Sequence, residues 1–218
     1  MGYRQPTCIG LIGARGTGKT SITEEMVKMW CRDNPTGLVY GFVPDPLSCL
    51  HKWVTNPIKS NDPNWAKPLL EITNCLILLD DYVGLMKSAN GSQMYVPTPG
   101  MIDIFTRGRY SSNDIIFSCH SARSVLPALA EYTTHYVIFK TSTDEGKFND
   151  RMSGGPKLAK AAKMVNAYCM MIGGLGKHLE DPAYDGQGFP HVVLNTITGR
   201  ARPINFKKTL LTKFKVKG

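Results

Sequence analysis

Short apolar runs alternate with amphipathic segments along most of the chain. The run at 75–79 is continuously apolar, which suits a strand of a parallel sheet that helices cover on both faces. In the amphipathic segments, apolar residues recur at the spacing of one helical face, which predicts helices. We expect strands at 7–12, 38–43, 75–79, 114–119 and 135–140, and helices at 21–32, 99–110, 121–132 and 157–172. This alternation predicts an α/β fold with a mainly parallel β-sheet flanked by helices on both faces.

The last quarter of the chain departs from this alternation. Residues 191–197 and 202–206 predict a small C-terminal β-hairpin extension that turns at Thr198 and Gly199. Two polar segments, 55–68 and 88–97, are typical of loop insertions without regular elements. We therefore expect a single domain over 1–218, with a core at about 7–142 and a C-terminal helix, hairpin and basic tail in 143–218.

A glycine-rich segment joins the first predicted strand to the first predicted helix. Residues 13–20 read GARGTGKT and fit the pattern G-x-x-x-x-G-K-[ST]. In such a P-loop, backbone N–H groups point at phosphate oxygens, Lys19 supplies charge to the β- and γ-phosphates, and the Thr20 hydroxyl ligates Mg²⁺. The following helix directs its positive end at the same phosphates. We predict a P-loop NTPase core that binds ATP and Mg²⁺ through Gly13, Ala14, Arg15, Gly16, Thr17, Gly18, Lys19, Thr20 and Ser21.

Two acidic residues follow the apolar run at 75–79. In proteins with a P-loop, an Asp at the end of a neighbouring strand holds Mg²⁺, and we assign this role to Asp80. Asp81 is then the candidate base that polarises the attacking water, although hydrolysing ATPases commonly have Glu there. The alternative for both residues is an acid that only ends the strand and turns the chain.

Polar and basic residues surround the predicted strand at 114–119. The strand carries Ser118 and His120 to its carboxyl end, where open α/β sheets bind their ligands. His120 is a candidate γ-phosphate sensor or water-orienting residue, and a structural hydrogen-bonding role fits it equally. Arg107 and Arg109 precede the strand, and one of them is a candidate arginine finger, which a neighbouring subunit often supplies. Surface arginines would produce the same pattern.

Basic residues exceed acidic ones. The chain has 26 Lys and Arg against 17 Asp and Glu, a formal net charge of +9, which favours an anionic partner such as nucleic acid or an acidic membrane. Residues 186–218 hold seven Lys or Arg and no acid. The alternative for this charge run is a solvated terminal segment. No apolar stretch has the length of a membrane helix and none resembles a signal peptide, so we expect no transmembrane segment and no secretion.

In their order along the chain, these motifs resemble those of the FtsK/HerA superfamily. The motifs are the P-loop, the acidic strand end CLILLDDY, an Arg-x-Arg pair, and the stretch DIIFSCHSARSVLPALAEYTTHYVIFKT. Within the superfamily, the chain looks like the genome-packaging ATPases of tailless, membrane-containing icosahedral viruses. The resemblance covers roughly residues 7–142 and rests mainly on the last stretch. His120 stands there at the position where Gln is usual.

The resemblance implies a motor that hydrolyses ATP to move double-stranded DNA into a preformed capsid. It further implies a homo-oligomeric ring of six or five subunits with ATP at the subunit interfaces. Capsid or vertex proteins of the virus would be its partners. The expected location is the packaging vertex of the virion or the host cytoplasm.

Other functional classes share parts of the pattern. A small-molecule or nucleotide kinase has the same strand–loop–helix opening and size, but the chain shows no arginine-rich lid insert. A filamentous-phage morphogenesis protein of the same superfamily usually carries a transmembrane anchor. A DNA-binding protein with an inactive P-loop is the remaining class. The ATPase rate with and without double-stranded DNA separates the motor from the kinase.

Overall fold

An eight-stranded sheet runs through the molecule. The computed structural model describes residues 6–59, 64–88, 95–96, 99–141, 154–174 and 188–206. In spatial order, the strands are β10 (Ala201–Ile204), β9 (His191–Asn195), β8 (His135–Ile138), β1 (Cys8–Ile12), β7 (Asp114–Cys119), β4 (Leu76–Leu79), β2 (Val39–Phe42) and β3 (Asn56–Pro57).

The sheet is parallel over most of its width. The six strands from β8 to β3 pair in parallel, whereas β9 and β10 extend the sheet as an antiparallel hairpin. Ile12 at the end of β1 pairs with Cys119 and Ile138, so three adjacent strands reach their carboxyl ends at the same level. The mainly parallel sheet and the C-terminal hairpin confirm the fold class predicted from the sequence.

Helices cover both faces of the sheet, as predicted. They are α1 (Lys19–Asp33), α2 (Lys67–Glu71), α3 (Pro99–Ser111), α4 (Pro127–Tyr132) and α5 (Gly155–Met171). One face packs against α1 through Val27 and Trp30, and the other four helices contribute buried residues to the opposite face. No helix in the described part of the chain combines the length and apolar character needed to cross a membrane.

The first helix is fixed at the end remote from the P-loop. The indole Nε1–H of Trp30 donates a hydrogen bond of 2.6 Å to Asp114 Oδ2, and the backbone N–H of Thr7 donates one of 2.8 Å to Asp114 Oδ1. The buried Asp114 carboxylate therefore ties the start of β1 and the last turns of α1 to the start of β7. These bonds set the position of α1 on the sheet, and with it the position of the loop that precedes the helix.

Two sequence predictions need correction. The fourth helix begins at Pro127, not at Ser121, because the extended conformation of Leu126 before the proline interrupts the helix; residues 122–124 form a short 3₁₀ helix instead. The two segments predicted as loop insertions contain regular elements. They include β3, the start of α2, and parts of a hairpin formed by β5 (Lys87–Ser88) and β6 (Tyr95–Val96). The predicted tail after residue 206 lies outside the described residues.

Candidate active site

The P-loop begins at the carboxyl end of β1 and ends at the start of α1. The Gly13 N–H donates to the Cys119 carbonyl at 3.2 Å, and the Ala14 N–H donates to the Lys140 carbonyl at 2.8 Å. The start of the loop is thus held between the ends of β7 and β8, the strands that pair with β1 on its two sides.

Two glycines shape the loop. Gly16 and Gly18 have φ angles of +70° and +87°, a left-handed conformation in which a side chain is strained. The Thr17 hydroxyl donates to the Ala14 carbonyl at 2.8 Å and closes the turn from inside. Backbone N–H groups in such a turn form a concave anion site, and here the site adjoins the N-terminus of α1.

Lys19 lies buried at the centre of the loop. Its Nζ donates to the carbonyl oxygens of Gly13 at 2.7 Å and Ala14 at 2.8 Å, and lies 3.2 Å from His120 Nδ1. Burial lowers the pKa of Lys19, because the charged ammonium has lost water, and the carboxylates of Asp80 and Asp81 oppose this effect. The ammonium is thus a cation in a confined site beside the carboxyl ends of three strands.

A serine on β7 joins the two acids that follow β4. The Ser118 hydroxyl donates to Asp80 Oδ1 at 2.6 Å and accepts from the backbone N–H of Asp81 at 2.9 Å. Burial raises the pKa of Asp80, and the hydrogen bond from Ser118 opposes this effect. In the sequence, Ser118 is only one of several polar residues at a strand end, because the pairing of β7 with β4 is decided by the fold.

His120 lies between Lys19 and Asp81. Because the Lys19 ammonium only donates, His120 Nδ1 accepts, which leaves the neutral ring's hydrogen on Nε2. That atom lies 3.4 Å from Asp81 Oδ2. Asp81 itself has a φ of +45°, a left-handed conformation that is uncommon outside glycine and turns the chain directly after the strand. The structure thus brings Lys19, His120 and Asp81 into one chain of contacts.

Thr20 and Asp80 could hold a magnesium ion. Their hydroxyl and carboxylate oxygens are the ligand type that Mg²⁺ prefers, and a cation would offset the cost of burying the Asp80 charge. Among the described residues, no group of three or more His, Cys, Asp or Glu side chains is arranged to hold a metal ion. The donor set fits Mg²⁺, which proteins commonly bind through one or two carboxylates together with the phosphates of a substrate.

Solved structures with this arrangement of strands and helices include viral packaging enzymes. The genome packaging NTPase B204 from Sulfolobus turreted icosahedral virus 2, in complex with ATP-gammaS, matches with a TM-score of 0.63 at 12% identity, over 92% of this chain and 97% of that chain. The DNA-packaging ATPase B204 from Sulfolobus Turreted Icosahedral Virus gives 0.62 at 12% identity, over 94% and 98%. This chain has the fold of a P-loop NTPase.

A third similar structure is a conjugation coupling protein. The pCW3 conjugation coupling protein TcpA with ATPgS gives a TM-score of 0.54 at 9% identity, over 97% of this chain and 66% of that chain. No family model and no curated protein matches the sequence. The P-loop NTPase fold that the FtsK/HerA resemblance implied is therefore confirmed by structure rather than by sequence similarity.

The predicted site residues of this P-loop NTPase fold differ in exposure. Gly13, Thr17 and Lys19 are buried, Arg15, Gly16 and Ser21 are exposed, and Ala14, Gly18, Thr20, Asp80, Asp81 and His120 are half-buried. Arg107 and Arg109 belong to α3, but their side chains lie outside the described part of the chain. The candidate arginine finger therefore remains a prediction.

Proposed function

We propose that this protein is an ATP-hydrolysing motor that moves double-stranded DNA into a viral capsid. The proposal rests on the chain of contacts from Lys19 through His120 to Asp81 beside the P-loop. It occurs in a fold shared with structures described as genome packaging NTPases. Each part of the proposed reaction follows from residues at this site.

Nucleotide binding would begin at the P-loop. The N–H groups at the start of α1 take the phosphate oxygens, and the Lys19 ammonium exchanges the Gly13 and Ala14 carbonyls for the β- and γ-phosphates. Thr20 and Asp80 would hold Mg²⁺. When bound, this ion would offset the negative charge of the phosphates. Ser118 keeps the Asp80 carboxylate in place through its hydroxyl.

Hydrolysis requires a group that accepts a proton from water. Asp81 is the candidate: water attacks the γ-phosphorus, the bond to the β-phosphate oxygen breaks, and the water proton passes to the Asp81 carboxylate. His120 contacts both Lys19 and Asp81, so a phosphate that draws Lys19 away changes the hydrogen bonding of His120 as well. We assign to His120 the role of a γ-phosphate sensor, whose contact with the candidate base Asp81 changes when the phosphate binds.

DNA contact is supported by a basic surface on the described residues. The lysines of α5 at positions 157, 160 and 163 are exposed, and so are Arg200 and Arg202 of the hairpin. The Lys157 ammonium lies beside Gly199 in the hairpin turn, so close that a side chain at that glycine would overlap it. The described segments 154–174 and 188–206 contain no Asp or Glu. Contacts from such a surface to phosphates need no particular base sequence.

The assembled motor would be a homo-oligomeric ring of six or five subunits at the packaging vertex, in contact with capsid or vertex proteins. Arg107 or Arg109 would reach the nucleotide of the neighbouring subunit. Residues 112–113 join the end of α3 to the start of β7, whereas Ser118 and His120 lie at the other end of that strand. Arg107 and Arg109 are therefore in the part of α3 near the opposite edge of the sheet, which fits action on a neighbour's nucleotide better than action on their own subunit's.

The deciding experiment measures ATP hydrolysis with and without double-stranded DNA. We expect strong stimulation by duplexes of unrelated sequence, and no hydrolysis by Lys19→Ala under either condition. Movement along DNA is then tested by the ATP-dependent displacement of a third strand annealed to the duplex. Phosphoryl transfer to a nucleoside monophosphate, without stimulation by DNA, would show a kinase instead.

A further inference from the structure

An aromatic side chain from the C-terminal extension packs against the P-loop. Phe189 precedes β9, and its half-buried ring occupies the space that a Cβ at Gly18 would need. Gly18 is the N-cap residue of α1 and has a φ of +87°. Both the backbone conformation and the Phe189 ring therefore require glycine at this position.

The backbone of Phe189 is fixed by two hydrogen bonds. Its carbonyl accepts from His191 Nδ1 at 2.8 Å and from Asn205 Nδ2 at 3.3 Å. The His191 ring in turn packs on Phe139, with ring centroids 5.1 Å apart. The two ends of the β9–β10 hairpin thus hold the ring beside the N-terminus of α1.

The strand order separates the two ends of a bound nucleotide. Asp80, Asp81 and His120 follow β4 and β7, which lie on one side of β1. These residues mark the γ-phosphate end, since Lys19 of a P-loop reaches the β- and γ-phosphates. A nucleotide that extends from this end across β1 has its nucleoside on the other side, where the sheet continues into β8, β9 and β10. Phe189 lies on that side.

We infer that Phe189 is the platform on which the base of the bound nucleotide stacks. This inference rests on the proposed binding of ATP at the P-loop. Stacking on an aromatic ring tolerates every base, because every base has a π-face. Phe189 would therefore strengthen binding of the nucleoside part without distinguishing ATP from GTP, and it would leave the phosphate contacts unchanged.

The test compares nucleotides with a ligand that has phosphates but no base. Dissociation constants of Mg·ATP, Mg·GTP and Mg·tripolyphosphate are measured by calorimetry for the wild type, Phe189→Leu and Phe189→Tyr. Leucine keeps an apolar cover over Gly18 and removes the aromatic face, whereas tyrosine keeps both. Tyr40→Leu is the matched control, because Tyr40 is a half-buried aromatic residue on β2, on the opposite side of β1 from Phe189.

We expect Phe189→Leu to weaken ATP and GTP alike, by about 5- to 150-fold, the range of base–aromatic stacking. Binding of tripolyphosphate should be unchanged, and Phe189→Tyr should restore both nucleotides. Unchanged ATP affinity in Phe189→Leu would overturn the inference. An equal loss for all three ligands would also overturn it, because the ring would then only shape the P-loop.

A failure of the proposed function gives a different result. A wild-type protein that binds neither ATP nor tripolyphosphate, or a Lys19→Ala variant that binds both as well as the wild type does, contradicts the P-loop assignment itself. If Phe189→Leu does not fold, the variant Phe189→Trp is measured in its place. Stacking then predicts that ATP quenches the emission of the added indole and that tripolyphosphate does not, and equal quenching by both contradicts it.

Discussion

Lys19 is a buried cation whose hydrogen bonds all lie within the site. We expect Lys19→Ala to abolish ATP hydrolysis, because Lys19 is the cation that this P-loop would place on the β- and γ-phosphates. The loss of the three hydrogen bonds of its ammonium is offset by removal of a desolvated charge, so the melting temperature should change by less than about 4 °C. Hydrolysis and thermal melting are measured on the same preparation. Wild-type turnover in Lys19→Ala would refute the assignment.

Asp80 and Asp81 are adjacent in sequence but face different partners. Asp80 accepts from Ser118, whereas the Asp81 carboxylate faces His120. We expect Asp80→Asn to weaken Mg·ATP binding, and Asp81→Asn to keep binding while turnover falls by about 100- to 10,000-fold, the usual contribution of a general base. Affinity and single-turnover rate are measured for each variant. The reverse pattern would exchange the two roles.

At the scale of elements, the β9–β10 hairpin contains a histidine that is neutral in the fold. Burial lowers the pKa of His191 from its ordinary value of 6.5, and the hydrogen bond to the Phe189 carbonyl opposes this effect. The unfolded chain therefore takes up a proton at a pH where the folded protein does not. Stability should be complete above pH 6.5 and fall as the pH drops towards the folded pKa, by at most about 1.4 kcal/mol per pH unit.

This dependence is measured by denaturant unfolding between pH 5 and 8. Burial lowers the pKa of His135 as well, so the wild type contains two groups that act in the same direction. The variant His191→Gln should reduce the slope below pH 6.5 and leave the part due to His135. An unchanged slope would show that His191 takes up its proton equally in both states.

If the basic surface of α5 and the hairpin binds DNA, the affinity for duplex DNA should depend on the salt concentration. Each lost phosphate contact should flatten the log–log salt dependence of duplex DNA binding by about 0.9. Replacing Lys160, Lys163 and Arg202 by Ala should therefore flatten the slope by about one to three units without changing sequence preference. Lys28→Ala on α1 is the control, since Lys28 is exposed on the helix that covers the opposite face.

A deletion of 209–218 extends the same measurement to the basic tail. From the sequence, this segment could contact DNA or dock on a capsid protein, and its deletion removes Lys213, Lys215 and Lys217. Flattening by the deletion, and none by the α5 and hairpin variant, would move the DNA contacts from the described surface to the tail. Unchanged slopes in both would move them to other parts of the chain.

At the scale of the whole molecule, the proposed ring would need an arginine supplied by a neighbouring subunit. We expect Arg109→Ala or Arg107→Ala to be inactive alone and to regain part of the activity when mixed with inactive Lys19→Ala. Some interfaces in the mixture pair an intact P-loop with an intact arginine. Hydrolysis is measured across mixing ratios. If neither arginine variant alone lowers turnover, the finger lies elsewhere and Arg123 is tested next.

The sequence predicted the core of the fold because local pattern and tertiary environment agree there. The run at 75–79 is apolar on both faces, and β4 is indeed buried throughout between helices on both sides. Prediction failed where a neighbour in space decides the structure. Asn56 and Pro57 form a strand only because Tyr40 and Gly41 of β2 offer an edge, which no local pattern reveals.

The sequence alone determined the P-loop, since its glycines, Lys19 and Thr20 lie within eight consecutive residues and their chemistry depends on local backbone conformation. The same holds for the two acids after the apolar strand. Only the tertiary structure decided that Ser118 joins these acids, that His120 lies between Lys19 and Asp81, and that Phe189 covers Gly18. These contacts join residues 37 to 171 positions apart, and the order of strands in the sheet, not the sequence pattern, determines which strand ends become neighbours.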